Sequence, residues 1–336
     1  MDTANPVTRD IVTIGASAGG VSALLALCSA LPKDIPASVL VVQHIGNNTS
    51  VLPMLLSSHG NNPAVHPTDG ERLEKGKIYV APPDHHMLVE DGVVRLTRTA
   101  KEHHTRPAID PLFRTAAYTY GPRVIGVVLT GRLDDGTSGL QAVKECGGLA
   151  IVQDPADAEH PSMPRSALRS VKVDRTAPLG ELGKAIMELL REPIPTAARS
   201  GARGGAERER LERELMVSAG EGNAMENLNA IGKPSSFACP DCAGVLWEIG
   251  DTVPPRYRCH TGHAFSLRSL ESTQRVSTED AIWSATRALQ MREELLRRVA
   301  EESRLAGAEA EAERESGAAD EAARHAQLLL QLLNSS

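Results

Sequence analysis

The chain has 336 residues, more than a single hydrophobic core usually takes up, so we expect an α/β domain with additional parts. Its net charge is -7 and aromatic residues make up 3% of the sequence, which argues against a nucleic-acid-binding surface. It has neither a signal-peptide pattern nor an apolar run of the roughly 20 residues that a membrane span needs. The composition therefore indicates a cytoplasmic protein, without membrane insertion, whose partner is another protein or a small molecule.

A glycine-rich turn follows the first apolar run, at residues 11–14. The turn reads Gly15-Ala-Ser-Ala-Gly-Gly20 and leads into a segment with the apolar spacing of a helix. Gly-x-Ser-x-Gly is the pattern of a nucleophile elbow, although a dinucleotide-binding turn has a similar glycine spacing. Ser17 as the N-cap of the helix is a third interpretation. The turn alone does not decide among the three.

Further apolar runs alternate with a helical pattern. The longer runs are typical of parallel strands that are buried on both faces of a sheet. Turn residues separate the runs at 77–81 and 93–96, which we expect to form a hairpin-like excursion. The alternation predicts a doubly wound, mostly parallel α/β sheet. The predicted strands lie at 38–43, 77–81, 93–96, 124–130 and 149–153, with a helix at 138–146.

Three polar side chains, Ser17, His44 and Asp135, each follow the end of a long apolar run. Ligands bind at the carboxyl ends of the strands in such sheets, so these side chains are expected to converge. A serine hydroxyl needs a base, and the base needs an acid that orients it, which makes the set a candidate catalytic triad. Asp134 is a second candidate for the acid. A dinucleotide site would need an acidic residue where Gln43 and His44 stand, so a hydrolase is favoured.

Six motifs in one order resemble the catalytic domain of chemotaxis protein-glutamate methylesterases, the CheB family, over about residues 8–192. The resemblance implies a triad of Ser17, His44 and Asp135, because the family's acid stands directly before a glycine. It also implies hydrolysis of γ-glutamyl methyl esters on chemoreceptor signalling helices and, in some members, deamidation of glutamine. The motifs are Ile14-Gly-Ala-Ser-Ala-Gly-Gly20, Val42-Gln-His44, Tyr79-Val-Ala-Pro-Pro-Asp-His-His86, Arg106-Pro-Ala-Ile-Asp110, Leu129-Thr-Gly-Arg-Leu-Asp-Asp-Gly136, and Gln153-Asp-Pro155 with Met163-Pro164.

Four further residues are candidates for the site. The backbone N–H of Ala18, directly after the nucleophile, is the candidate donor to the oxyanion. Arg132 stands where the family often has methionine, and Arg106 and His86 are candidates for the substrate groove. The family's best-known members begin with a phosphorylatable receiver domain, whereas here the esterase motifs begin close to Met1. We therefore expect no activation by that route.

The second half of the chain begins with a change in composition. Residues 193–206 are rich in Pro, Gly, Ala, Ser and Arg, which bury too little apolar surface to become ordered. A short charged helix is predicted at 207–216, and residues 220–236 have a loop-like composition. The predicted organisation is a catalytic domain at 1–192, a linker at 193–236, a zinc-ribbon-like module at 237–272 and a helical tail at 273–336.

The module contains Cys239-Pro-Asp-Cys242 and Cys259-His-Thr-Gly-His263. This spacing is typical of a closed tetrahedral zinc site, so we expect Cys239, Cys242, Cys259 and His263 to hold a structural Zn²⁺. His260 is the alternative fourth ligand. Catalysis by the triad needs no cofactor.

The tail predicts two helices. The first has a capping-box-like start at Ser277 and an apolar stripe with nearly heptad spacing from Ile282 to Val299. The second is interrupted near Gly317. A hairpin of the two helices is favoured, while self-association or partner binding through them stays open. The alternative function is a non-enzymatic signalling adaptor that binds its partner through the zinc module and the tail.

Overall fold

The computed structural model of the protein describes residues 8–46, 48–195, 205–250 and 252–334. The chain divides into two compact units, Met1–Leu270 and Glu271–Ser336. Most of the low-complexity part of the predicted linker, at 196–204, lies outside the described residues.

The first unit begins with strands and helices that alternate along the chain. Seven of its strands form one parallel sheet, in the order β3-β4-β2-β1-β7-β8-β9, which confirms the predicted doubly wound α/β fold. In chain order the elements are β1 (Ile11–Ala16), α1 (Gly20–Ala30), β2 (Ser38–Gln43), α2 (Leu52–His59), β3 (Ala64–Val65), β4 (Ile78–Val80), β5 (His86–Glu90), β6 (Val93–Thr97), α3 (Ile109–Tyr120), β7 (Val124–Val128), α4 (Thr137–Glu145), β8 (Leu149–Gln153), α5 (Ser162–Ser170), β9 (Arg175–Ala177) and α6 (Leu179–Arg191).

The central strands β1, β2 and β7 are buried along their whole length, because helices cover both faces of the sheet. One apolar core includes residues of α1, α2 and α6, and the other includes residues of α3, α4 and α5. β1 pairs with β2 on one side and with β7 on the other. The carboxyl ends of these three strands therefore meet at the switch point where ligands bind in sheets of this kind.

The expected hairpin between residues 77–81 and 93–96 is wrong. β4 instead joins the main sheet parallel to β2 and β3, which agrees with the burial of all three of its residues. β6 pairs with β5, a strand that the sequence analysis missed. Both partners of the hairpin thus lie after the Pro82-Pro83 turn, which ends the main-sheet strand.

The first unit continues with a second, smaller sheet and the helices that lead to it. Four antiparallel strands pair in the order β10-β11-β12-β13. The elements are α7 (Gly205–Ala219), α8 (Ala224–Ile231), β10 (Gly232–Ala238), β11 (Val245–Ile249), β12 (Arg256–Cys259), β13 (Ala264–Ser266) and the beginning of α9 (Leu267–Leu305).

The loop expected at 220–236 is in fact α8 and most of β10. Asn223 caps α8, since its side chain accepts hydrogen bonds from the backbone N–H groups of Met225 and Glu226. The apolar side of α8 packs into a small cluster with Trp247 and Ile249. Residues 220–236 have a loop-like composition, but the cap and the contacts with the second sheet order them.

Two long helices, α9 and α10 (Glu309–Asn334), account for the described part of the second unit. α9 is continuous from Leu267, so the helix start predicted at Ser277 is wrong. The break lies at Gly307, with a φ of 76°, and not near Gly317. Arg304 bonds to Ser316 across the two helices, as in the favoured hairpin. Among the described residues, no helix is both long and apolar enough to cross a membrane.

Candidate active site

The turn between β1 and α1 presents Ser17 at the carboxyl edge of the sheet. The backbone N–H of Ser17 donates to the carbonyl of Thr130 over 3.0 Å, and its own carbonyl accepts from the amide of Gln43 over 2.9 Å. The N-cap of α1 is Gly19, whose φ of 73° lies in the left-handed region. The interpretation of Ser17 as the N-cap is therefore wrong. Its hydroxyl faces His44 instead.

A glycine in the loop between β7 and α4 makes room for the serine. A Cβ at Gly131 would lie 2.1 Å from Sδ of Met163 and 2.9 Å from Cβ of Ser17. These distances are shorter than van der Waals contacts, so any larger residue would displace one of its neighbours. The loop can approach the nucleophile this closely only because position 131 is glycine.

His44, at the end of β2, lies between the hydroxyl and the acid. Its Nδ1 is 3.0 Å from Oγ of Ser17, and its Nε2 is 2.7 Å from Oδ2 of Asp135. An ionised carboxylate can only accept, which places the hydrogen of the neutral ring on Nε2 and leaves Nδ1 to accept from the serine. The structure thus brings together the three side chains that the sequence analysis selected.

Backbone groups fix the carboxylate of Asp135. The N–H groups of Ile109 and Asp110, at the start of α3, donate to it over 2.7 Å and 3.0 Å. The N–H of Gly136 donates over 2.8 Å. With His44, four donors surround two oxygens, so the carboxylate has one well-defined orientation.

Asp135 is ionised although it is buried. Burial raises the pKa of its carboxyl, but the charge of His103 and the hydrogen bond from His44 outweigh burial and hold this pKa below its usual range. An acid that stays charged can orient the ring of His44 and stabilise the imidazolium that forms when the ring takes a proton.

Asp134, the other candidate for the acid, faces away from His44 into the second sheet. Its Oδ1 accepts a hydrogen bond from the hydroxyl of Ser266 over 2.6 Å. Burial raises the pKa of Asp134. The geometry thus selects Asp135 rather than Asp134 as the partner of the histidine.

The backbone N–H of Ala18 is available to a ligand. It lies at the N-terminal end of α1, where the helix dipole favours negative charge. Within the described residues, no hydrogen bond uses this N–H. Its position next to Ser17 is that of an oxyanion donor in a nucleophile elbow.

The three groove candidates differ in how free they are to meet a substrate. Arg132 is exposed beside the triad. Arg106 is bound to the carboxylate of Asp84 and to two backbone carbonyls. His86 is 1% exposed and bonds to the backbone of Ala100, and burial lowers its pKa to about 4. Little of the His86 side chain is exposed, and the proposal that it lines the substrate groove stays a prediction.

Sequence reasoning missed His103, which lies beside the acid of the triad. Its Nε2 is 3.0 Å from Oδ2 of Asp110 and 3.5 Å from Oδ1 of Asp135. Burial lowers the pKa of His103, but the carboxylates of Asp135, Asp110 and Asp134 raise it more, to about 9. His103 stands in a loop among other polar residues, and no spacing in the sequence marks it.

The four predicted metal ligands lie together in the second sheet. The sulfurs of Cys239, Cys242 and Cys259 and a ring nitrogen of His263 are all within 4.8 Å of one another. The sulfurs of Cys242 and Cys259 are 3.7 Å apart, and Nδ1 of His263 is 3.5 Å from the sulfur of Cys259. Tetrahedral zinc, with zinc–sulfur bonds of about 2.3 Å, needs sulfurs about 3.8 Å apart. The donor set therefore fits Zn²⁺, and in the described part of the chain His260 is not in the cluster.

Comparison with known proteins identifies one family for the part of the chain that carries the parallel sheet. The sequence model of the CheB methylesterase family matches residues 12–186. A protein-glutamate methylesterase/protein-glutamine glutaminase of Leptospira interrogans is 37% identical over 182 residues, which are 54% of this chain and 94% of the relative. One of the same name from Anaeromyxobacter dehalogenans is 38% identical over 183 residues, 54% of each chain.

A solved structure supports the same assignment. The CheB methylesterase catalytic domain of Thermotoga maritima is 34% identical, with a TM-score of 0.52 over 55% of this chain and 100% of that domain. The matched region is the one that carries the parallel sheet and the three triad residues. The chain is a hydrolase that belongs to the CheB methylesterase family.

Proposed function

We propose that the protein hydrolyses γ-glutamyl methyl esters on the signalling helices of methylated chemoreceptors, with Ser17, His44 and Asp135 as the catalytic triad. The observation that carries the proposal is the pair of contacts made by His44, at 3.0 Å to Ser17 and 2.7 Å to Asp135, at the switch point of a CheB-type sheet. The names of the relatives supply the substrate class.

The geometry suggests the following steps. Oγ of Ser17 attacks the ester carbonyl while Nδ1 of His44 takes its proton, and Asp135 stabilises the imidazolium. The N–H of Ala18 donates to the oxyanion of the tetrahedral intermediate. His44 returns the proton to the departing methoxide, so methanol leaves and the glutamyl group stays on Ser17. A water molecule, activated by His44, then releases the glutamate carboxylate.

Release of methanol from a methyl-labelled chemoreceptor signalling fragment tests this proposal. We expect the Ser17→Ala variant to lose at least about 10³-fold in kcat, because the nucleophile is removed. Ser29→Ala, which changes an exposed serine on α1, is the matched control and should keep the wild-type rate. A wild type that releases methanol no faster than Ser17→Ala would remove the proposal.

The name shared by the relatives also includes a glutaminase activity. The same triad could release ammonia from a glutamine side chain, since the acyl-enzyme formed is identical. Ammonia release from the unmethylated fragment with glutamine at the same positions, again with Ser17→Ala beside it, distinguishes this activity from ester hydrolysis.

We further propose that Cys239, Cys242, Cys259 and His263 bind a structural Zn²⁺. The fit of the sulfur and nitrogen separations supports the proposal. The metal would hold together a small sheet, and four protein ligands leave no position for a substrate. One equivalent of zinc per chain, lost in Cys239→Ser, is the expected result of metal analysis.

Family membership favours the enzyme over the non-enzymatic adaptor. Binding of a partner, or self-association, through α9 and α10 stays a prediction, and light scattering of the full chain tests self-association. A cytoplasmic location is also a proposal, which rests on the family's chemoreceptor substrates.

A further inference from the structure

The segment that follows the last metal ligand runs behind the acid of the triad. We call residues 264–269, which are β13 and the first residues of α9, the bracing segment. The hydroxyl of Ser266 donates to Oδ1 of Asp134 over 2.6 Å, and the hydroxyl of Ser269 lies 2.9 Å from Nδ1 of His103. These serines are only 3% and 1% exposed, so solvent does not compete for the contacts.

The bracing segment holds His103 by its backbone as well as by its side chain. The N–H of His103 donates to the carbonyl of Ala264 over 2.7 Å. With both Nδ1 and the backbone N–H fixed, Nε2 is directed at Asp110 and Asp135. His103 thus connects the bracing segment to two carboxylates at the active site.

The side of Asp135 that faces His103 is opposite to the side used in catalysis. Oδ2 of Asp135 bonds to His44, whereas Oδ1 faces His103. Asp110 connects the start of α3 to the start of α4, because its Oδ1 accepts hydrogen bonds from the N–H groups of Gly136 and Gly139. His103 therefore acts on Asp135 across 3.5 Å and through Asp110, which shares the N–H group of Gly136 with Asp135.

Buried charges tie the metal ligands to the same loop. Arg258 directly precedes Cys259, and its guanidinium lies 3.0 Å from Glu102 and 3.1 Å from Glu214. Glu102 directly precedes His103. Because all of these charged groups are buried, separating them would leave uncompensated charges in the interior. Buried ion pairs therefore hold the metal-ligand strand and the His103 loop together.

The part of the second sheet that carries the metal ligands has a small apolar core. This cluster has six buried residues, two of which are the metal ligands Cys239 and Cys259, while Trp247 and Ile249 of β11 pack into a separate cluster with α8. In sites of this size, metal binding and folding are coupled. Loss of the metal would thus release the turn at 259–263 and, with it, the bracing segment.

We propose that metal binding by the Cys3His cluster controls the esterase, because the metal-ordered bracing segment keeps two neighbours of Asp135, His103 and Asp134, in place. His103 is then a positioning residue for the triad, which acts through Asp135 without touching the substrate. The effect on turnover rests on the proposed triad function. The structural coupling does not, and it can be measured without any substrate.

Metal removal from the full chain is the first test. Zinc is withdrawn with a chelator, its content is measured, and amide hydrogen exchange is followed. We expect exchange at residues 102–110 and 132–137 to become at least about tenfold faster, with little change in β1 and β2, and zinc to restore both protection and turnover. Unchanged exchange at 102–110 in metal-free protein overturns the proposal, whether or not the protein is an esterase.

Ser269→Ala is the second test, because it removes the contact with Nδ1 of His103 and the contacts with Ser266, and leaves the metal ligands intact. The matched control is Ser38→Ala, a buried serine that bonds to the carbonyl of Glu74 at the opposite end of the sheet. Zinc content should stay at the wild-type level in both. We expect kcat to fall about three- to tenfold in Ser269→Ala with KM unchanged, the size of effect expected when the contact with His103 is lost.

A spectroscopic signature separates positioning from general destabilisation. The proton between His44 and Asp135 gives a downfield proton NMR resonance that reports this hydrogen bond directly. We expect this resonance to shift or broaden in Ser269→Ala and in the metal-free protein, but not in Ser38→Ala. A resonance that is unchanged in Ser269→Ala and in the metal-free protein contradicts the proposed coupling between the metal cluster and the triad.

Discussion

Residue 131 sets the distance between the loop after β7 and the nucleophile. A methyl group at this position would overlap both Met163 and Ser17. We therefore expect Gly131→Ala to cost about 1–3 kcal/mol in the free energy of unfolding, as overpacking usually does. Methanol release should fall more steeply than stability does, since displacement of Ser17 breaks its 3.0 Å contact with His44. Urea unfolding and the esterase assay measure the two effects.

Gly180→Ala is the control for this substitution. Gly180 lies in α6, and a Cβ there would meet nothing within 4 Å. Alanine should stabilise the helix by about 0.5–1 kcal/mol at such a position and leave activity unchanged. If Gly131→Ala behaves like Gly180→Ala, position 131 does not control the approach of the loop.

His103 is expected to make the free energy of unfolding depend on pH in the alkaline range. Burial lowers the pKa of His103, but Asp135, Asp110 and Asp134 raise it from 6.5 to about 9 in the folded protein. A raised pKa means that the folded state binds the proton more tightly than the unfolded state does. The resulting stabilisation is fully present below about pH 6.5 and is lost as the pH rises through about 9.

His103→Gln should therefore lose this alkaline dependence. We expect the difference in free energy of unfolding between wild type and variant to be largest below pH 6.5 and to shrink towards pH 10. Urea unfolding at pH 6, 8 and 10 measures it, and His59→Gln, at a histidine exposed on α2, corrects for other titrating groups. A difference that does not vary with pH would mean that His103 is neutral in the folded state.

The sequence was informative about the triad for a topological reason. Ser17 and His44 come directly after a strand and Asp135 lies in the loop after another, and parallel strands bring their carboxyl ends to one edge. His103 and Ser269 could not be found in this way. They are 166 residues apart in the chain. The packing of a small antiparallel sheet brings them together, and neither a hydrophobic period nor a motif in the sequence predicts this packing.

At the scale of elements, two strands of the main sheet were predicted to the residue, and the carboxyl ends of the central strands β1 and β7 were predicted to within two residues. The strands at 38–43 and 149–153 are β2 and β8. The prediction failed for β5, which mixes buried and exposed residues, and for α8, whose Asn223 cap and few apolar residues resemble a loop. In both, contacts with a neighbouring element decide the structure.

β12 carries a charged residue that stabilises the first unit through buried ion pairs. Arg258 is 1% exposed and lies between Glu102 and Glu214. Burial raises the pKa of Glu102, but Arg114 and Arg258 lower it more, to about 2. Arg258→Met would leave two buried carboxylates with fewer counter-charges, and we expect a loss of about 3–5 kcal/mol in the free energy of unfolding.

Arg298→Met is the matched control, because Arg298 pairs with Glu294 on the exposed surface of α9. Such helical pairs contribute about 0.3–0.5 kcal/mol. Urea unfolding followed by circular dichroism compares the variants. Equal effects at the two positions would indicate that the buried network does not stabilise the protein.

At the scale of the whole molecule, the family comparison accounts for about half of the chain. The matched region, residues 12–186, contains Ser17, His44 and Asp135, the residues of the proposed triad. The chain beyond it supplies the buried partners of Glu102, His103 and Asp134. Residues outside the family match therefore pack against the loops beside Asp135, which lie within the match.

The separation of Ser269 from His103, and of Ser266 from Asp134, has a consequence for synthesis of the protein. Translation delivers Ser17 and His44 first and Asp135 next, but the serines that pack behind the acid leave the ribosome 166 and 132 residues after their partners. A nascent chain therefore carries Ser17, His44 and Asp135 long before the partners of His103 and Asp134 are synthesised. The order of the chain places these partners directly after the Cys3His cluster, in the last-made part of the first unit.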